Sequence, residues 1–244
     1  MRRVFTTLAI MLAAPVGAQQ RPDGWSVGAF ASVDQSIYVG EDTSLTLLPG
    51  LSYKSGDWSY GLNGISGKIH EDGPSSLMVQ LKPRFFGLIT SDAPELDGID
   101  RNVTADIGAS WSYAFSPKTS LELSALQEVT GAHNGQELEI GIEQQVNLGP
   151  VPVWLSGTLT WQSDDLTHYL YGVKPSEATA TRAAYAPGSA LIPSVAVTTG
   201  YPLSARALLF GSISYTVLPD EVSSSPIVAR DDRLRFSTGI NFSF

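Results

Sequence analysis

Apolar and polar residues alternate with a period of two along several segments of this chain. The longest runs from Val103 to Phe115, where odd positions are mostly large and apolar and even positions are small or polar. Strict alternation predicts a strand with one apolar face. Thirteen residues at about 3.3 Å each cross a bilayer at the tilt of a barrel strand. The pattern returns in segments 138–148, 153–161, 191–201, 205–217 and 234–244.

This alternation predicts a transmembrane barrel, because each strand must show one face to lipid and the other to the lumen. After the N-terminus, no segment offers the roughly 18 consecutive apolar residues of a membrane helix. We therefore predict an all-β, antiparallel up-and-down barrel over residues 19–244, in the bacterial outer membrane and in contact with its lipid. Interfacial girdles are predicted from Trp25, Trp58, Tyr60, Trp111, Tyr113, Trp161, Tyr201 and Tyr215.

The connections divide into short and long ones. Short turns belong on the periplasmic side of such a barrel and long loops outside. Short turns are predicted at 55–57, 116–119, 149–152 and 202–204. Outward connections are predicted at 35–43, 68–76, 91–101, 131–135, 163–188 and 218–232.

The strand count depends on one irregular stretch. Between consecutive periplasmic turns the number of strands must be even, yet only three are apparent between the turns at 55–57 and 116–119. These strands are predicted near 58–66, 77–90 and 103–115. Gly61, Gly64 and Pro83 interrupt the alternation of apolar and polar residues in the first two. We predict 12 strands, with 10 as the alternative, and no separate soluble domain.

The two ends of the chain carry export and assembly signals. Arg2 and Arg3 precede a short apolar stretch that ends at Val16-Gly17-Ala18, which predicts a signal peptide over residues 1–18, cleaved after Ala18. The last strand ends on an aromatic residue, Phe244. Such an ending resembles the signal that bacterial outer-membrane proteins present to the barrel-assembly machinery.

Charge and composition narrow the function. The chain has 15 basic and 24 acidic residues, a net charge of −9, and loss of the signal peptide with its two arginines makes it more acidic. Nucleic acid is therefore not expected as a partner. The chain has no cysteine, so a thiolate nucleophile and a Cys-ligated metal site are excluded.

Several loop motifs, in order along the chain, resemble the MltA-interacting protein/outer membrane protein V (MipA/OmpV) family. They are Ser36-Ile37-Tyr38-Val39-Gly40-Glu41-Asp42, Leu96-Asp97-Gly98-Ile99-Asp100-Arg101, Tyr169-Leu170-Tyr171-Gly172-Val173 with Glu177-Ala178, Tyr185-Ala186-Pro187-Gly188, and Ser225-Pro226-Ile227-Val228. Ile37 departs from the proline that the family pattern has there. The resemblance implies an outer-membrane scaffold for a lytic transglycosylase and a peptidoglycan synthase, or a role in adhesion or osmotic response. It implies no catalytic residue and no cofactor.

The chemistry-bearing residues favour a barrel without a catalytic, cofactor or metal site. His70, His133 and His168 all fall in predicted outward connections. Asp164, Asp165 and His168 resemble the acid and histidine pairs of outer-membrane proteases, but a solvated loop explains them as well. We therefore predict that the protein is not an enzyme.

Charged residues are predicted to line the lumen. Inward positions carry Asp106, Glu122, Glu128, Glu139 and Glu143 on middle strands, and Arg206, Arg233 and Arg235 near the end of the chain. Pairing of Glu139 and Glu143 with Arg233 and Arg235 across the lumen would plug it; otherwise these residues form a wet lining. Two function classes follow: an interaction protein of the cell envelope, or a narrow channel or outward-facing binding barrel.

Overall fold

The described residues of the computed structural model, 23–85 and 93–244, form a closed antiparallel barrel of twelve strands. The predicted signal peptide lies outside them. Each strand pairs with its neighbours in sequence, and β1 closes the ring against β12, from Ser26 opposite Ser243 to Asp34 opposite Arg235. The strands are β1 Gly24–Gln35, β2 Thr43–Ser55, β3 Trp58–Gly61, β4 Gly64–Asp72, β5 Ser75–Arg84, β6 Thr104–Ser116, β7 Thr119–Glu128, β8 Gln136–Leu148, β9 Val151–Gln162, β10 Ala190–Pro202, β11 Ala207–Val217 and β12 Asp232–Ser243.

Short helices occur only in the long connections of the described chain. They are α1 (Asp164–Tyr171), α2 (Asp220–Ser223) and the 3₁₀ turns Pro94–Leu96 and Pro175–Glu177. Among the described residues, no helix is both long and apolar enough to span a membrane.

The two faces of the wall follow the predicted alternation. On β8, Ile140 and Ile142 point outward and are 46% and 53% exposed, while Glu139 and Glu143 occupy the opposite, inward positions. Large apolar side chains are exposed on the outer face of strands all round the barrel. Such a surface is stable only against lipid. The transmembrane barrel prediction is confirmed.

The strand that the sequence pattern did not reveal is the short β3. The segment predicted as one strand near 58–66 is a hairpin of β3 and β4, and β3 has only four residues, too few for alternation to identify. Gly64 makes the hairpin possible: its φ is +103°, and a Cβ there would lie 2.1 Å from the carbonyl oxygen of Leu81. The count of 12 strands is confirmed.

The outward connection predicted at 68–76 is wrong. Strand β4 continues to Asp72, and the chain turns at Gly73 and Pro74 before β5. The backbone N–H of Lys68 donates to the carbonyl oxygen of Asp57, so this part of β4 lies beside the turn between β2 and β3, at the short-turn end. His70 is therefore a strand residue. The charged residues of β4 give this strand the composition of a loop, and the sequence therefore predicted a connection there.

The other predicted short turns are short in the structure. Parts of the predicted strand 77–90 and of the predicted connection 91–101 lie outside the described residues. Two-residue turns lie between β2 and β3, β6 and β7, and β8 and β9, and a four-residue turn joins β10 to β11. The long connections all leave the opposite end of the barrel. The apolar core of the described chain lies mainly in these connections.

Candidate functional site

The outer end of the barrel is covered by a folded layer that we call the cap. It consists of the described connections 36–42, 93–103, 163–189 and 218–231. Connections 163–189, 218–231 and 36–42 belong to hairpins that follow one another around the ring, whereas 93–103 leaves the ring between β5 and β6, apart from them. The contacts of 93–103 with 36–42 and 163–189 therefore extend over the outer opening. The buried apolar residues of the cap are Ile37, Tyr38, Ala93, Leu96, Ile99, Leu166, Tyr169, Leu170, Tyr171, Val173, Leu218, Val222, Ile227 and Val228.

A buried ion pair holds two connections of the cap together. Nη1 of Arg101 lies 2.7 Å from Oε1 of Glu177, and the same guanidinium donates to the carbonyl oxygens of Tyr169 and Gly172. Burial raises the pKa of Glu177, but the hydrogen bonds from Arg101 and from the Lys174 N–H outweigh it and leave the pKa below its ordinary value. Glu177 therefore stays ionised and paired at neutral pH.

A second arginine ties the same region through backbone groups. The guanidinium of Arg182 donates to the carbonyl oxygens of Glu177, Glu95 and Asp97, at 2.6–3.1 Å. Its side chain is buried, and its donors satisfy carbonyl groups that the irregular backbone leaves unpaired. Sequence reasoning missed this residue, since a single arginine in a long loop carries no spacing signal.

Two buried tyrosines, Tyr38 and Tyr171, join different connections of the cap. The Tyr38 hydroxyl donates to the carbonyl oxygen of Leu170, and the carbonyl oxygen of Tyr171 accepts from the Ser225 hydroxyl. Burial raises the pKa of both phenols, that of Tyr171 to about 12. The negative charge of Glu137 raises the pKa of Tyr171 as well, whereas the positive charges of Arg233 and Arg84 lower it.

One lumenal cluster, below the cap, centres on Arg84 of β5. Its Nε lies 2.6 Å from Oδ2 of Asp106, and its Nη1 lies 2.9 Å from Oε2 of Glu137. Gln162 of β9 also donates to Glu137. The inward position of Asp106 was predicted correctly. Arg84 was not predicted, because the segment around Pro83 does not alternate clearly, and Glu137 was not predicted, because it lies just before the alternating segment 138–148.

A second lumenal cluster joins β12 to β1. Arg233 and Arg235 both donate to Oδ2 of Asp34, and the Ser44 hydroxyl donates to Oδ1 at 2.6 Å. The predicted pairing of these arginines with Glu139 and Glu143 is wrong. Asp34 stands directly opposite Arg235 on the adjacent strand, so a partner within the same wall is closer than any group across the lumen.

Three of the predicted inward carboxylates form an acidic patch on one wall. Glu122 of β7 faces Gly141, between Glu139 and Glu143 of β8, and Glu139 accepts from the Thr160 hydroxyl. Two other predicted lining residues have different roles. Glu128 accepts hydrogen bonds from Thr130 and Asn134 and so organises the connection to β8. Arg206 lies exposed in the turn before β11, so its inward assignment is wrong.

The three histidines lie in separate elements: His70 in β4, His133 in the connection between β7 and β8, and His168 in α1. Ser163 caps α1 by accepting from the Leu166 N–H, which places Asp164 and Asp165 in its first turn and His168 near its end. Acidic side chains in the first turn stabilise the helix, because they interact favourably with the positive end of its dipole. His133, in a different connection, lies within 3.5 Å of the Thr104 hydroxyl. Within residues 23–85 and 93–244, no group of three His, Cys, Asp or Glu side chains is placed to hold a metal ion.

Comparisons with known proteins agree with this geometry. The family model described as MltA-interacting protein MipA matches residues 27–244. The chain is 26% identical to the putative outer membrane protein YiaT of Escherichia coli K12, over 97% of this chain and 98% of that protein. It is 24% identical to the MltA-interacting protein of the same strain, over 97% of each chain.

A solved barrel of similar fold is the NanC porin. Its TM-score is 0.53 at 7% identity, with 89% of this chain and all of that chain covered. This likeness shows the fold alone. Together with the relatives and the lipid-facing wall, it places the protein in the outer membrane.

Proposed function

The chain belongs to the MltA-interacting protein (MipA) family, and from this premise we propose that it is an outer-membrane interaction protein whose partner is a lytic transglycosylase of the MltA type. A relative covering 97% of the chain carries that partner in its name. By the resemblance of its loop motifs, a peptidoglycan synthase is a second proposed partner.

The observation that carries the proposal is the cap. A general porin needs a clear passage between its two openings, whereas here four connections interlock across the outer one through apolar packing and the buried pair of Arg101 and Glu177. A barrel closed toward the outside retains the lipid anchor and a periplasmic rim as its functional parts. That rim would present the short turns and Phe244 to an envelope enzyme.

The test is capture of a transglycosylase by the tagged full-length chain from detergent-solubilised envelopes. Charge reversal at the rim, Arg206→Glu, should reduce capture at least several-fold. The matched control is Arg230→Glu, which makes the same charge change at an exposed residue of an outer connection and should leave capture unchanged. Failure of the wild type to capture the enzyme, or equal loss in both variants, contradicts the proposal.

A second candidate function is a narrow, gated channel. It is favoured by the lumen wall, where inward positions are occupied by hydroxyl and charged side chains such as Ser212, Ser214 and Glu139, as a water-filled passage requires. Single-channel conductance separates the two candidates: a capped interaction protein should remain closed in planar bilayers, and frequent long-lived openings of the wild type would favour the channel.

A further inference from the structure

The Arg233–Asp34–Arg235 cluster contains one more positive charge than its partners neutralise. Both guanidiniums share one carboxylate oxygen of Asp34: Arg233 Nε lies 2.8 Å from Oδ2 and Arg235 Nη2 lies 3.4 Å from it. The other oxygen, Oδ1, accepts from Ser44. Asp34 is 2% exposed as a side chain, so its acceptor capacity is already used by these neighbours.

The two arginines keep donors that Asp34 does not use. Each guanidinium has five N–H groups, and Nε of Arg235 is buried with no hydrogen-bond partner among the described residues. The side chains of Arg233 and Arg235 are 30% and 15% exposed. They occupy successive inward positions of β12, about 6.6 Å apart along the strand. Because both guanidiniums also contact the same oxygen of Asp34, they lie in one region of the lumen.

Between Arg235 and the periplasmic end, the inward positions of β12 carry no charge. They are Ser237, Gly239, Asn241 and Ser243. The inward rings of Phe30 and Phe210 stack beside Gly239, with centroids 6.1 Å apart, and narrow the lumen at that level. Because the cap covers the other end, a solute that reaches the arginines from the periplasm must pass these two rings.

We propose that Arg233 and Arg235 form an oxyanion-binding site inside the lumen, for a carboxylate or phosphate group on a solute that enters from the periplasmic end. A guanidinium offers such groups short, charge-assisted and bidentate hydrogen bonds. Asp34 orients the two side chains and leaves one positive charge for the ligand. The site is independent of the proposed transglycosylase partner.

The test measures binding of radiolabelled inorganic phosphate to the refolded full-length chain by equilibrium dialysis, at constant ionic strength in chloride. We expect saturable binding of about one phosphate per chain, with acetate as a competitor. Arg235→Gln should weaken binding at least 10-fold. Arg206→Gln is the matched control, since it removes the same charge from an exposed turn, and it should leave the affinity unchanged.

Two further variants keep the test decisive. Asp34→Asn removes the competing carboxylate and should strengthen phosphate binding several-fold. Arg235→Lys keeps the charge but loses the planar fork, and its affinity should lie between those of the wild type and Arg235→Gln. Heat-dependent electrophoretic mobility verifies that each variant is folded. No saturable binding by the wild type, or equal affinities for Arg235→Gln and Arg206→Gln, overturns the proposal.

Discussion

At the scale of single residues, Arg101 binds both the backbone and a side chain of another connection. It donates to Tyr169, Gly172 and Glu177 from a side chain that is fully buried. Removing one partner of a buried pair leaves an uncompensated charge, which costs about 3–5 kcal/mol. The strands do not depend on this contact, so its loss should loosen the cap before the barrel.

Arg101→Gln should therefore open the cap in an otherwise intact barrel. Limited proteolysis of the folded protein should cut connection 163–189 at least 10 times faster than in the wild type, while heat-modified mobility is retained. Arg230→Gln, an exposed arginine of another outer connection, is the control and should not change the cutting rate. Unchanged cleavage in Arg101→Gln would show that the pair does not hold the cap.

Acid should loosen the same contact. The pKa of Glu177 is below its ordinary value in the folded protein, so its stabilising effect is fully present above the ordinary pKa and is lost as the pH falls through the lowered one. Cleavage of connection 163–189 by an acid-tolerant protease should rise as the pH falls below the range in which an ordinary glutamate titrates. The Glu177→Gln variant should be cleaved rapidly at neutral pH and should lose most of this pH dependence. An unaltered acid response in that variant would exclude Glu177 as its cause.

The two faces of the wall differ in what they tolerate. Ile142 is outward and 53% exposed, near the middle of β8, whereas Ser110 is inward and opposite Ser124. Ile142→Arg should destabilise the barrel by about 2–4 kcal/mol, because lipid does not solvate a guanidinium near the bilayer midplane. Ser110→Arg should cost less in the polar lumen. Equal costs in urea unfolding from lipid vesicles would contradict the assignment of faces.

At the scale of elements, β12 closes the ring and ends in an exposed aromatic residue. The Phe244 N–H donates to the carbonyl oxygen of Trp25, and the side chain is 67% exposed. Folded-state packing therefore gives it little stability, and its importance is predicted to lie in recognition by the assembly machinery. Phe244→Ala should lower the amount of heat-modifiable barrel in the outer membrane several-fold.

The matched control is Phe115→Ala, which removes a lipid-facing aromatic that is 61% exposed at the end of β6. It changes the same surface without touching the terminal signal, and it should assemble normally. If both variants assemble equally well, or fail equally, Phe244 is not read as a signal in this protein.

The hairpin of β3 and β4 is the element that alternation could not resolve. Its turn depends on the positive φ of Gly64 and on the close approach of that residue to the Leu81 carbonyl. Neither property is visible in a pattern of apolar and polar residues, since both arise from the neighbouring strand. The parity of strands between periplasmic turns nevertheless showed that one strand was missing there.

At the scale of the whole molecule, a lipid-anchored barrel supports a separately packed cap. The barrel holds its shape through continuous strand pairing around the ring, and the cap through apolar contacts and arginine hydrogen bonds. Such a division allows the outer opening to change while the wall stays intact. The conductance and proteolysis measurements described above address this independence directly.

The sequence by itself determined the barrel and the membrane it occupies, and it favoured 12 strands over the alternative of 10. Strand periodicity, turn composition and lipid exposure are local consequences of residue order, because the bilayer imposes the same alternation on every strand. The family motifs were also readable, and Tyr38, Arg101, Tyr171 and Glu177 belong to them. The sequence did not show that these four residues come together in one cap.

Only the tertiary structure decided which charges pair. Arg233 and Arg235 could face carboxylates across the lumen or beside them, and barrel closure placed Asp34 of β1 against β12 although the two strands lie at opposite ends of the chain. Arg84 of β5 likewise meets Asp106 on the adjacent strand β6 and Glu137 on β8, which lies beyond β6 and β7 in the ring. Electrostatic pairing falls off within a few ångströms in a polar lumen, so ring closure and strand register, which no local pattern encodes, select the partners.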